Sequence, residues 1–177
     1  MEIFIFRICF ILIFLLIIIK LRDRIKWQKC YPTILFVTTI NLAASFLTYH
    51  HGLWNYNPDI FVKTQTSVEL INSFFMLPVT TLIYLSLYPY NTSNILQIGY
   101  IALWVGIFAV LEFIDHYVVG GIYYSNGWSW LTSAIFDIAM FSIIRLHFSR
   151  PSWAWVSCFF VTLIIVFVFD FYSGEFK

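Results

Sequence analysis

The chain has 177 residues, 61% hydrophobic and only 11% charged, with a formal net charge of +1 and a mean hydropathy of +0.85. So little charge cannot cover a soluble domain, and the positive charge is localised where membrane topology, not nucleic acid, explains it. The composition predicts an all-α integral membrane bundle, a single domain over residues 1–177 whose surroundings are the lipid bilayer.

Spans of about 20 residues each allow six crossings in a chain of this length. The first is expected at about 3–19, an Ile, Leu and Phe run broken by Arg7 and Cys9. A cleavable leader carries its basic residues before the apolar run. Here Lys20, Arg22, Arg24, Lys26 and Lys29 follow it, which predicts an uncleaved anchor with that flank in the cytoplasm. The second span is expected at about 33–49, with Pro32 in its first turn. A loop rich in His, Asn and aromatic residues then runs from His50 to about Thr66. The third span, about 67–88, carries Pro78 in its middle, which predicts a kink. Pro89 and the run Asn91 to Asn94 turn the chain into the fourth span, about 95–117. Gly120-Gly121 and Ser125-Asn126-Gly127 mark another loop before the fifth span, about 128–148. After Arg150-Pro151 the sixth runs over about 153–172.

Charge sets the orientation. With both termini on the non-cytoplasmic side, the cytoplasmic segments hold the five basic residues above plus Arg145 and Arg150, against Lys63 and Lys177 outside. Aromatic residues mark both boundaries: Trp54, Tyr56, Tyr123, Tyr124, Trp128 and Trp130 outside, and Trp27, Tyr31, Tyr88, Tyr90, Trp153 and Trp155 inside. The expected location is the plasma membrane, with multiple passes.

An ionised group at mid-bilayer costs about 2.5–3.5 kcal/mol, so each one calls for a partner or a role. Arg7, Glu69, Glu112, Asp115, His116 and Asp170 all fall in outer halves of spans, with Asp137 near the centre of the fifth. Helical spacing groups them into stripes. Thr38, Asn41, Ser45 and Thr48 share one face of the second span; Glu69, Asn72, Ser73, Met76 and Thr80 share one of the third. Glu112, Asp115 and His116 project together from the fourth, and Ser133 lies one turn before Asp137. Convergence of these stripes predicts a polar pocket in the outer half of the bundle, beneath the second loop. Its expected lining is Asn41, Trp54, Glu69, Asn72, Glu112, Asp115, His116 and Asp137. Arg7 has Glu2, Asp170 and Glu112 as candidate partners.

Three readings follow. A structural, sensing or binding role comes first, since polar groups between helices commonly act as packing contacts. A divalent metal such as zinc is the second, held by His50, His51, Glu112 and His116 if the second loop folds over the fourth span. Proton or solute movement through Glu112, His116 and Asp137 is the third, although the inner half offers little matching polar path. The question of catalysis stays open: the chain has no G-x-S-x-G and no H-E-x-x-H, which favours a non-enzyme. Cys9, Cys30 and Cys158 have no ligand spacing and read as apolar packing. Ala102 and Gly106 form a small-x-x-x-small pair suited to close helix contact, within the bundle, in a homo-oligomer or with a membrane protein partner.

Four segments, Leu53-Trp54-Asn55-Tyr56-Asn57-Pro58, Leu87-Tyr88-Pro89, Leu111-Glu112 and Gly121-Ile122-Tyr123 to Trp128, carry a resemblance. Here the chain resembles a family of small polytopic membrane proteins of spore-forming Gram-positive bacteria. The resemblance implies a bacterial plasma-membrane location and gives weight to Trp54, Pro58, Pro89, Glu112 and Trp128; it supplies no activity.

Overall fold

The computed structural model describes residues 1–171; Tyr172, expected to end the sixth span, and the tail that includes Lys177 lie outside the described residues. Among the described residues six helices are long and apolar enough to cross a membrane: α1 Glu2–Leu21, α2 Trp27–Leu47, α3 Gln65–Leu87, α4 Asn94–Val119, α5 Trp130–Ser149 and α6 Pro151–Val168. Together they make an all-α bundle, with two short strands, β1 Trp54–Tyr56 and β2 Ile122–Tyr124, at one end.

The helix starts follow from local chemistry. Thr64, Ser93 and Ser129 each cap a helix, their hydroxyls accepting from the backbone N–H of Ser67, Leu96 and Thr132. Pro151 opens α6, where its missing N–H costs nothing. The second helix reaches back to Trp27, so Pro32 lies inside it rather than in its first turn. At Pro78 the ring removes the N–H that Phe74's carbonyl would accept, and α3 takes a π-helical turn over Asn72–Met76 just before it. A second π-helical turn, Asp115–Val119, ends α4, and Gly120 closes it with φ of 70°, a conformation that favours glycine.

Helix α4 packs along α5, α2 along α3, and α5 along α6, while α2 also meets α5. Helix α1 is peripheral: it rests on the second half of α3 and on the π-helical end of α4. The half of the bundle nearer the α1–α2 turn is closed by aromatic packing. Tyr84 and Phe141 are fully buried with ring centroids 5.1 Å apart, and Trp104 stands 5.7 Å from each. The Tyr84 hydroxyl donates to the Phe141 carbonyl at 3.1 Å, so the layer is also hydrogen-bonded.

Polar groups do occur in that half. Thr33 Oγ1 and His147 Nδ1 are 3.0 Å apart. The Arg145 guanidinium lies over the Tyr88 and Tyr90 rings at 4.8 and 5.0 Å, held by cation–π contact.

The opposite end is built by the two loops. Strands β1 and β2 pair antiparallel, with Trp54 opposite Tyr124 and Tyr56 opposite Ile122. Backbone bonds from Asn57 to the Gly121 carbonyl and from Ser125 to the Leu53 carbonyl extend the ribbon at both ends. Asn126 and Gly127, with φ of 51° and 80°, turn the chain out of β2. Beneath the ribbon, Leu53, Trp128 and Phe171 form a second, smaller core. Gly99 and Gly106 would bring an added Cβ within 4 Å of nothing, so the small-residue face that includes Ala102 points away from the bundle.

Candidate functional site

Between α1, α3, α4 and α5, under the ribbon, lies a partly open cavity of about 600 Å³. Its walls are mostly apolar, with Ile8, Ile11, Phe108, Leu111 and Met140 among them. Set into those walls are Arg7, Asn41, Asn72, Glu112, Asp115, Ser133 and Asp137, with Trp54, Tyr56, Asp59 and Trp128 at the ribbon end.

Of the expected lining, Asn41, Trp54, Asn72, Glu112, Asp115 and Asp137 face this cavity; Glu69 and His116 do not. Glu69 accepts from Gln65 Nε2 at 2.7 Å and borders a smaller pocket with Thr48, Gly52 and Asn55. His116 turns its Nδ1 to the Ile122 carbonyl at 2.9 Å and packs its ring on Tyr124.

The polar stripes bond to one another. Asn41 Nδ2 donates to Ser73 Oγ at 2.8 Å, Ser73 donates to the Glu69 carbonyl, and Thr38 donates to the Ser73 carbonyl. These contacts knit α2 to the π-helical turn of α3. Across the cavity, Glu112 Oε1 accepts from the Tyr124 hydroxyl at 2.8 Å and from Ser133 Oγ at 2.6 Å. One carboxylate oxygen therefore joins α4, β2 and α5. Asp115 lies against Gly121, whose absent Cβ would collide with the Asp115 carboxyl, so glycine is what admits the side chain there.

Asp115 Oδ1 and Asp137 Oδ2 are both buried without a hydrogen-bond partner, and Asp137 is the more deeply buried residue, at 6% exposed. Ser133, one turn away, gives its hydroxyl to Glu112 instead. Trp128 Nε1 is likewise buried without an acceptor. The Trp54 and Trp128 rings are 5.3 Å apart, and Phe136 is 6.4 Å from the first and 6.0 Å from the second, forming an aromatic cluster in the wall of the same cavity.

The carboxylate that Arg7 pairs with is Asp59, where Glu2, Asp170 and Glu112 are the expected candidates. Arg7 Nη1 bonds Asp59 Oδ2 at 2.7 Å and its Nη2 donates to the Asn57 carbonyl at 2.9 Å. The Asp59 side chain is only 3% exposed. Burial alone would raise its carboxyl pKa; the N–H groups of Val62 and Phe61 and the Arg7 guanidinium outweigh that and hold it below the usual value. At Tyr56 burial, followed by the nearby Glu112, Asp115 and Glu69, pushes the phenol well up, so its hydroxyl stays protonated.

The set His50, His51, Glu112 and His116 is not assembled. His50 is exposed with its ring on Tyr49, His51 Nε2 meets the Phe169 carbonyl at 2.9 Å, and His116 faces Ile122. His50 and His116 meet groups close to them in sequence, whereas His51 reaches across to the end of α6. Among the described residues no group of three or more His, Cys, Asp and Glu is gathered as a metal ion requires.

Sequence reasoning missed Asp59, Tyr56, Tyr124 and Trp128 as cavity or network residues. Asp59 carried a usable signal, an acid in the Asn57-Pro58-Asp59 turn at the same outer level as Arg7. The hydroxyl of Tyr124 carried none, because its partner depends on the ribbon. No family model, curated protein or solved structure matches this chain. Among the described residues, fold and site together define a six-helix bundle with a mostly apolar cavity at its ribbon end, lined by more acids than bases.

Proposed function

We propose that this chain is a multi-pass plasma-membrane protein with both termini on the non-cytoplasmic side, and that its outer cavity binds an amphiphilic small molecule. The observation that carries the reading is the cavity itself, about 600 Å³ of mostly apolar space with a few convergent polar groups. That combination is characteristic of small-molecule sites, which run to about 300–1,000 Å³. The outward faces support a lipid environment: Phe46, Ile95, Ile98 and Phe167 are between 65% and 85% exposed, a surface that would aggregate in water. The basic segment from Lys20 to Lys29 spans the junction of α1 and α2, at the end away from the cavity, which supports placing the cavity on the outer side.

A binding or sensing role is favoured over translocation by the aromatic layer of Tyr84, Trp104 and Phe141, which fills the inner half. The test is extraction: protein purified in gentle detergent carries one apolar molecule per chain, recovered in organic solvent and weighed by mass spectrometry. Ile11→Trp, which fills the cavity from peripheral α1, loses it. Equal recovery from both proteins would refute the binding reading.

A further inference from the structure

Asp137 is 94% buried by its 6% exposure, lines the cavity, and keeps one carboxylate oxygen without any donor. A buried acceptor left in this condition costs stability, and it points to a donor from outside the chain. The charges around it sharpen what that donor is. The charged neighbour acting on Asp137 is Glu112, of like sign, and Glu112 also acts on Asp115. Arg7, the base on the cavity wall, reaches Asp115 electrostatically but spends its hydrogen bonds on Asp59 and Asn57. His116 lies near Glu112 with its Nδ1 committed to Ile122, and the Tyr56 and Tyr124 phenols are neutral donors, the latter given to Glu112. Four acids, Asp59, Glu112, Asp115 and Asp137, thus face one base.

The rest of the wall decides between kinds of cation. A metal ion needs several oxygen or nitrogen ligands converging on one point, and no such group exists among the described residues. The same cavity wall carries instead the clustered rings of Trp54, Trp128 and Phe136, and aromatic faces attract organic cations. Beyond them the wall is apolar.

We infer that the cavity takes a lipophilic amine, its protonated nitrogen donating to Asp137 beside the Trp54–Trp128–Phe136 wall and its apolar body lying between α1, α4 and α5. The inference rests on the binding reading above and names its ligand class. The ammonium supplies a charge-assisted hydrogen bond where the chain supplies no donor. A neutral alcohol offers only a weaker donor, and a carboxylate offers like charge.

The experiment uses full-length protein in phosphatidylcholine nanodiscs at pH 7, with tritiated decylamine as the probe and scintillation proximity as the readout. Saturable binding of one decylamine per chain is expected, with decanol and decanoate at least tenfold weaker as competitors. Asp137→Asn should weaken decylamine at least tenfold while Asp23→Asn, at the far end of α1, leaves it unchanged. Gel filtration and a melting curve establish that Asp137→Asn is folded; should it not fold, the wild-type competition series decides alone. If decanol competes as well as decylamine, or folded Asp137→Asn binds like wild type, the amine inference is overturned. Loss of all three ligands in Ile11→Trp would still leave the cavity a binding site. If nothing binds saturably, both readings fall.

Discussion

Arg7 on the first helix reaches Asp59, fifty-two residues further along, with Nη1 to Oδ2 of 2.7 Å and the carboxylate side chain only 3% exposed. The pair does two jobs at once. It neutralises an arginine near the start of an apolar helix, and it fastens the loop that roofs the cavity to the otherwise peripheral α1. Removing one partner of a buried pair leaves the other unsatisfied, at a cost of about 3–5 kcal/mol in full burial and less where one side is partly exposed, as Arg7 is. Arg7→Met is therefore expected to lower the melting temperature in detergent markedly, and Asp59→Asn to do so less, since an amide still accepts from Arg7. In the double variant Arg7→Met with Asp59→Asn the losses should not add. Additive losses would show that the two side chains do not act as a pair.

The same carboxylate predicts a pH dependence. Asp59 is held below its usual pKa in the folded protein, by Val62, Phe61 and Arg7 acting against burial. A depressed folded pKa stabilises the fold above the unfolded value, about 3.9, and that contribution disappears as pH falls through the folded pKa. Wild type should thus lose melting temperature below about pH 4, whereas Asp59→Asn should show a shallower acid dependence. Parallel pH curves for the two proteins would count against the assignment.

The six helices are legible because each apolar run is long enough to stand out whatever its partners are. The stripes on α2 and α3 are legible for a related reason: the 3.6-residue period fixes which side chains share a face. What the period cannot specify is which face meets which. Arg7 had three carboxylates within reach on helical arguments, and the loop path brought in a fourth, Asp59. The ribbon escaped entirely. Trp54–Tyr56 and Ile122–Tyr124 are too short to show a two-residue alternation, and they pair across two intervening helices. With the ribbon hidden, the Tyr124 bond to Glu112 and the turning of His116 towards Ile122 were hidden too. Ligand types alone therefore suggested a metal set that the loop geometry separates.

Gly121 is a sharper probe of that geometry than any cavity side chain. A Cβ at this position would strike the Asp115 carboxyl, while the Gly121 N–H donates to the Asp115 carbonyl at 2.8 Å. Gly121→Ala should cost about 1–3 kcal/mol, the usual range for overpacking. If the collision is the cause, Asp115→Ala should relieve it, so that Gly121→Ala costs much less in that background. An unchanged cost would place the strain in the backbone instead.

Orientation is open to direct chemistry. In a background lacking Cys9, Cys30 and Cys158, single cysteines at Lys26 and Lys63 sit at opposite ends of the bundle. A membrane-impermeant maleimide applied to intact cells should label Lys63→Cys, and label Lys26→Cys only after permeabilisation. The opposite pattern would invert the bundle and place the cavity on the cytoplasmic face.

Asp137 predicts a conflict between stability and function. Its unpartnered oxygen is buried in a wall with Phe136 and Met140, and Glu112 adds like charge nearby. A group that serves only packing would be replaced with profit by an apolar side chain of similar size, while a group kept for a ligand would show that gain together with a loss of binding. Asp137→Leu should therefore raise the melting temperature of the ligand-free protein, by the equivalent of about 1–3 kcal/mol. It should also abolish the thermal shift that decylamine gives the wild type. Glu112→Leu makes the contrast, because it strands the Tyr124 and Ser133 hydroxyls and should lower stability. If Asp137→Leu is destabilising to the same degree as Glu112→Leu, then Asp137 is an integral part of the packing, and its burial needs no ligand to explain it.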